Sequence, residues 1–351
     1  MNQKIDEICQ DPLFQLNLML WLDQQQPHQD YYIYPLFNIS GLNIYSIGPL
    51  LSLPPDIILH ISDKIDIQKR ARPDLILKVQ KDNKFCILEC KASSFGPASS
   101  NATQAKTLLL MAGSIISEVL GIGKRDENKC MLCYLVGSGK PELMEETIKS
   151  LKEEINKEVS LDLGDFGYFR IEPVGLSILL YYSEKAKDFL HITENSPVEV
   201  IKFEEETDPH PLYFIPYDPN NPQQTSEEQE LCRRILFERI WSEIISKVGG
   251  SVAPCKVQFS TEELLVSATF GIYKIWEDND AKRNIKNIVK RFLFDIKGDL
   301  LEGILIYDPQ TGWMFNLGDK KIQEEVLKQL QKFKPESLDL SKVPESTLFD
   351  E

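Results

Sequence analysis

The residues with the clearest capacity for chemistry lie in the stretch RPDLILKVQKDNKFCILECKAS, from Arg72 to Ser93. Asp74 opens one short apolar run; Glu89 closes a second, with Lys91 two residues further on. Side chains alternate along a strand, so Glu89 and Lys91 share a face while Leu88 and Cys90 take the other. Pairing the two runs through the polar connection QKDNK brings Asp74 opposite the Glu89–Lys91 end. Two carboxylates and an ammonium then share a small volume at the rim of a sheet. Such a carboxylate pair suits Mg²⁺ (or Mn²⁺), which takes few protein oxygens and completes its shell with waters and a substrate phosphate. A metal held there polarises the scissile phosphate and lowers the pKa of a bound water. Lys91 is then placed to hold or deprotonate the attacking water, or to stabilise charge building on the phosphate. The chemistry implied is metal-assisted hydrolysis of a phosphodiester. The competing reading is an ordinary ion-paired sheet end, with Asp74 capping a turn after Pro73.

Several elements must position these residues. Apolar spacing predicts a helix over residues 5–26, restarting at Pro12, and the Tyr-, Ile- and Leu-rich segment 31–61 predicts strands and turns. Strands follow at 74–79 and 85–91, then a Ser/Gly/Pro loop and a helix from about Thr103 to Leu120 with Asn101 as its cap. Beyond it come the strand CMLCYLVGSG, the amphipathic helix PELMEETIKSLKEEINKEV and a strand pair around YFRIEPVGLSILLYY. Strand, strand, helix, strand, helix, strand is an α/β order with a mixed sheet.

Pro73-Asp74 followed across a hairpin by Glu89-Cys90-Lys91 resembles the signature of the PD-(D/E)XK nuclease superfamily, the restriction-endonuclease-like fold. That family places a helix after the lysine strand. Here NATQAKTLLLMAG supplies one, with Gln104 where many members carry a supporting polar residue. The resemblance implies a central mixed sheet flanked by helices and a divalent metal held by Asp74 and Glu89. Lys91 and Gln104 complete the catalytic set it implies, and the substrate is DNA, with RNA as the alternative. Many members serve restriction, repair or anti-phage systems. In many, an acid on the first helix completes the metal shell, for which Glu7 is the candidate here. The resemblance covers residues 60–140 closely and 1–200 loosely. A chain that kept the fold without catalysis would instead be a subunit binding nucleic acid or a partner protein.

The whole chain, 351 residues with 42% apolar and 26% charged, reads as globular with room for two domains. We expect a nuclease-like domain over 1–207, a Pro-, Asn- and acid-rich linker over 208–225, a smaller α+β domain over 226–335 and a polar tail over 336–351. The second domain shows three helices, at 226–247 and about 260–275 and 280–297, then the hairpin EGILIYDPQTGWMFNL and a last helix over 319–333. Three helices and a hairpin match a winged-helix-like order, with the basic helix 281–297 in the recognition position.

Net charge is 39 − 54 = −15, which excludes a generic nucleic-acid coat. Any polyanion must be met locally. One patch includes Arg70 and Arg72; the other carries Lys282, Lys286 and Lys290, four apart and so on one helical ridge. An acidic chain without an extended basic stripe points to a protein partner or a second copy of itself. No run of 18 apolar residues occurs, so no membrane span is expected. Seven cysteines form no framework, and Cys130 and Cys133 would face opposite ways on a strand. Free thiols in a reducing, cytoplasmic setting are the expectation.

Overall fold

Residues Phe85 to Cys90 form an unbroken buried run in the middle of a ten-residue strand, as a strand covered on both faces requires. In the computed structural model, residues 7–24, 32–61, 63–138, 140–203, 226–299 and 304–332 are described. The expected linker 208–225 and tail 336–351 lie outside the described residues. The chain divides into two units, Met1–Leu212 and Tyr213–Glu351.

The first unit begins with α1 (Pro12–Leu22), whose restart at Pro12 is capped by the Asp11 carboxylate. Then follow β1 (Tyr32–Ile33), α2 (Leu36–Ser40), β2 (Leu42–Ile47), β3 (Leu51–Ser52), α3 (Pro55–Ile61), β4 (Arg70–Ala71), β5 (Leu75–Val79) and β6 (Lys84–Ser93). The chain continues through α4 (Ser100–Met111), β7 (Lys129–Ser138), α5 (Pro141–Glu158), β8 (Asp165–Val174), β9 (Ser177–Tyr182), α6 (Glu184–Leu190) and β10 (Val198–Lys202). Eight strands form one mixed sheet in the order β1-β10-β9-β8-β7-β6-β5-β2. Neighbours β6, β7 and β8 run parallel; the other pairs are antiparallel. Phe85, Ile87, Leu132, Tyr134 and Val136 join one core with Leu108 and Leu109 of α4 and Ile148, Leu151 and Ile155 of α5. The result is a mixed α/β architecture, a large sheet flanked by helices.

Two expectations for this unit need correction. Segment 31–61 contains the helices α2 and α3 as well as strands. The helix expected over 103–120 begins at Ser100 after Ser99, without Asn101 as cap, breaks after Met111 and resumes as a 3-10 turn over Gly113–Ile115 and a short helix over Ile116–Val119. The extended backbone of Ala112 ends α4, and Gly113 follows with φ at 65°, where a Cβ would run into the backbone oxygen of Asp162. Only glycine permits both the left-handed turn and that approach.

The second unit comprises α7 (Ser226–Gly249), β11 (Cys255–Phe259), α8 (Thr261–Ala268), α9 (Ile272–Ile275), α10 (Asn279–Asp299), β12 (Leu305–Asp308), β13 (Gly312–Leu317) and α11 (Lys320–Lys332). The helix expected at 260–275 is broken by Phe270 and Gly271, both at positive φ. β11, absent from the sequence reading, pairs with β13 in an antiparallel sheet ordered β11-β13-β12. Its core sets Phe292 of α10 flat against Phe237 of α7, ring centres 4.3 Å apart, while Trp313 and Phe315 are fully buried.

Candidate active site

The β5–β6 hairpin sets the site. Its register pairs Leu75 with Leu88 and Ile76 with Ile87, which carries Asp74 to the position across from Glu89. The Asp74 N–H donates to Glu89 Oε2 at 3.3 Å, and the Cys90 N–H donates to Asp74 Oδ2 at 2.6 Å. Backbone of one strand thus fixes the carboxylate of the other. Lys91 Nζ lies 2.8 Å from Glu89 Oε1 and 3.1 Å from Gln104 Oε1. Gln104, brought in by the first turns of α4, also donates from Nε2 to Glu89 Oε1 at 2.8 Å. Asp74, Glu89, Lys91 and Gln104 therefore form one network around a carboxylate only 4% exposed.

Burial pulls the Lys91 pKa down, but the Glu89 carboxylate beside it and Asp74 outweigh that, and the net shift is upward. The side chain is held as an ammonium, which favours charge stabilisation over the base role.

Gln15 and Tyr134 are functional candidates that the sequence reading missed. Gln15, fully buried on α1, donates from Nε2 to the Cys9 carbonyl at 2.9 Å and the Lys91 carbonyl at 3.0 Å. It ties the first helix to the lysine strand. The available signal was an amide inside the apolar run PLFQLNLMLWL. Tyr134, the register partner of Glu89 on β7, is also fully buried. Burial, then the charges of Glu89 and Asp74, push its phenol well above the usual range. Glu7 is exposed, in the helical turn before Pro12.

Among the basic candidates, Arg70 is exposed on β4, and Arg72, also exposed, donates to the Gly48 carbonyl at 3.0 Å. Lys282, Lys286 and Lys290 lie along α10, half-buried rather than fully in water, with Lys282 Nζ 4.6 Å from the Tyr273 ring centre. Ile285, Val289, Phe292 and Leu293 bury the stripe beside this ridge, which is why the lysines are partly covered. Cys86, Cys90, Cys130 and Cys133 are buried free thiols.

Among the described residues no group of three or more His, Cys, Asp or Glu could hold a metal. Asp74 and Glu89 offer two hard oxygen donors, a set that fits Mg²⁺ or Mn²⁺ completing the shell with water, and not a tightly caged ion. No helix of the described residues is long and apolar enough to cross a membrane. Comparisons with protein-family models, with curated proteins and with solved structures found no match.

Proposed function

We propose that the chain is a divalent-metal-dependent nuclease that hydrolyses phosphodiester bonds in DNA, with RNA as the alternative substrate. The observation that carries this reading is the convergence of Asp74, Glu89, Lys91 and Gln104 on one buried carboxylate at a sheet end. Helix α4 after the lysine strand, and the mixed sheet around it, agree with the PD-(D/E)XK resemblance. Asp74 and Glu89 would hold Mg²⁺ or Mn²⁺, which would supply Lewis acidity and a water of lowered pKa. The chain's own residues do the rest. The Cys90 amide orients Asp74, Gln104 orients Glu89, and the Lys91 ammonium meets charge developing on the phosphate.

The second unit supports a binding role. Its order α7, β11, α8–α9, α10, β12, β13, with β13 central in the sheet, agrees with a winged-helix reading in which α10 faces nucleic acid. Lys282, Lys286 and Lys290 then contact phosphates, as Arg70 and Arg72 do beside the acid pair. With net charge −15, a protein partner or second copy forms part of the same reading. A cytoplasmic role in restriction or anti-phage defence rests on the resemblance and on cysteine usage.

Purified protein incubated with plasmid, single-stranded DNA and RNA, in Mg²⁺, Mn²⁺ or EDTA, tests the reading. Cleavage by the parent with metal, absent in EDTA and in Glu89→Gln, is expected. Equal cleavage by Glu89→Gln contradicts the mechanism. A parent inert on every substrate leaves a non-catalytic subunit of this fold.

A further inference from the structure

Tyr134 stands directly across from Glu89 where β7 pairs with β6. Paired positions on adjacent strands point to the same face, and strands lie about 4.8 Å apart, so the phenol flanks the carboxylate. Its ring is wedged edge-on by Phe95, centres 5.4 Å apart, and tilted against Phe166 at 6.2 Å. The neighbours on its own face of β7, Leu132 and Val136, are buried and apolar. Yet the Tyr134 hydroxyl is buried without a hydrogen-bond partner among the described residues. Stranding a buried donor costs about 1–3 kcal/mol, and phenylalanine would fill the same place without that cost. A hydroxyl kept beside a buried carboxylate in spite of this has a use in another state of the site.

We propose that Tyr134 is a positioning residue that takes over Glu89 when Lys91 leaves it. In the structure Lys91 and Gln104 hold Glu89 Oε1. This inference rests on the nuclease reading, in which Lys91 turns to the substrate phosphate. Its departure leaves the buried carboxylate with two neutral donors, the Gln104 amide and the Asp74 N–H, and without its charged one, a costlier loss than at an exposed site. The Tyr134 O–H then donates to Glu89 and keeps the carboxylate aimed. Only a hydrogen bond changes hands; the phenol keeps its proton.

A double-mutant cycle on unfolding, without metal or substrate, tests the exchange. In the parent, Tyr134→Phe leaves the denaturation midpoint unchanged or raises it, because the deleted hydroxyl had no partner. In a Lys91→Met background, which imitates the departed ammonium, Tyr134→Phe lowers the midpoint. Lys91→Gln carries the cycle if the methionine variant does not fold. A change of the same sign and size in both backgrounds overturns the proposal. In cleavage assays, Tyr134→Phe lowers kcat about tenfold, the worth of one hydrogen bond, with KM nearly unchanged. Parent-like kcat also overturns the proposal. The cycle needs no turnover, so its failure is distinguishable from failure of the nuclease reading, which shows as a parent that does not cleave.

Discussion

The end of the β5–β6 hairpin and the helix α10 both gather charge, and they hold it by opposite means. At the hairpin end, Glu89 is buried and meets the Asp74 amide, Lys91 and Gln104 within 3.3 Å. Along α10 the lysines are half-buried, and Lys282 rests over an aromatic ring. A buried charge is stable only with donors at defined distances, so its environment specifies what it can do. A ridge of partly exposed charges acts through its field, which depends on the number and sign of charges more than on their neighbours. The first region is defined by geometry, the second by charge pattern.

The largest effect that sharpens this contrast belongs to Glu89. Glu89→Ala removes the acceptor of three donors, so it abolishes metal-dependent cleavage and also destabilises the fold, by about 3–5 kcal/mol as for a broken buried pair. Glu89→Gln keeps an acceptor oxygen, and its midpoint in urea falls less while cleavage is still abolished. An alanine variant as stable as the parent would break the contrast from the buried side.

Gln15→Leu comes next. It leaves the Cys9 and Lys91 carbonyls without their shared donor, for a loss of about 1–3 kcal/mol in denaturant titrations. Its kcat falls further than that of an equally destabilised variant from α6, because the lysine strand loses its tie to α1.

Along α10, Lys282, Lys286 and Lys290 exchanged together for Gln are expected to weaken DNA binding. The slope of log K against log salt becomes shallower by about 0.9 for each phosphate that the ridge no longer neutralises. Binding curves that overlay the parent at low and moderate salt leave the ridge without a nucleic-acid role.

Asp23 supplies the smallest effect. Burial raises its carboxyl to about 6, only partly opposed by the Ile44 amide that donates to it at 3.2 Å. The unfolded value is about 3.9, so the folded state prefers the neutral acid, and this preference stabilises fully below about pH 4 and is lost as pH rises through 6. Unfolding midpoints of the parent should therefore fall relative to Asp23→Asn across that window. A constant difference between the two would remove burial as the cause.

The hairpin end was legible in the sequence because two-residue alternation along β6 determines the face shared by Glu89 and Lys91, and a short connection leaves few ways to bring Asp74 across. Gln104 was named only through the PD-(D/E)XK resemblance, which implies a polar residue on the helix after the lysine strand. Gln15 and Tyr134 were not legible. Each sits in a strongly apolar run, and only the packing of α1 and β7 on β6 shows what its polar atoms face. β11 escaped notice because CKVQF offers two inward residues, Val257 and Phe259, and finds its partner more than fifty residues later. The break after Met111 depended on the approach of the 162–164 backbone to Gly113, a tertiary approach invisible to local periodicity.

Calorimetric titration of Mn²⁺ into the metal-free protein tests the central claim most directly, since it asks whether Asp74 and Glu89 hold a divalent cation together. The account predicts saturable binding by the parent that disappears in both Asp74→Asn and Glu89→Gln, with each variant still folded. Mn²⁺ binding of equal strength in the parent and both variants would contradict it.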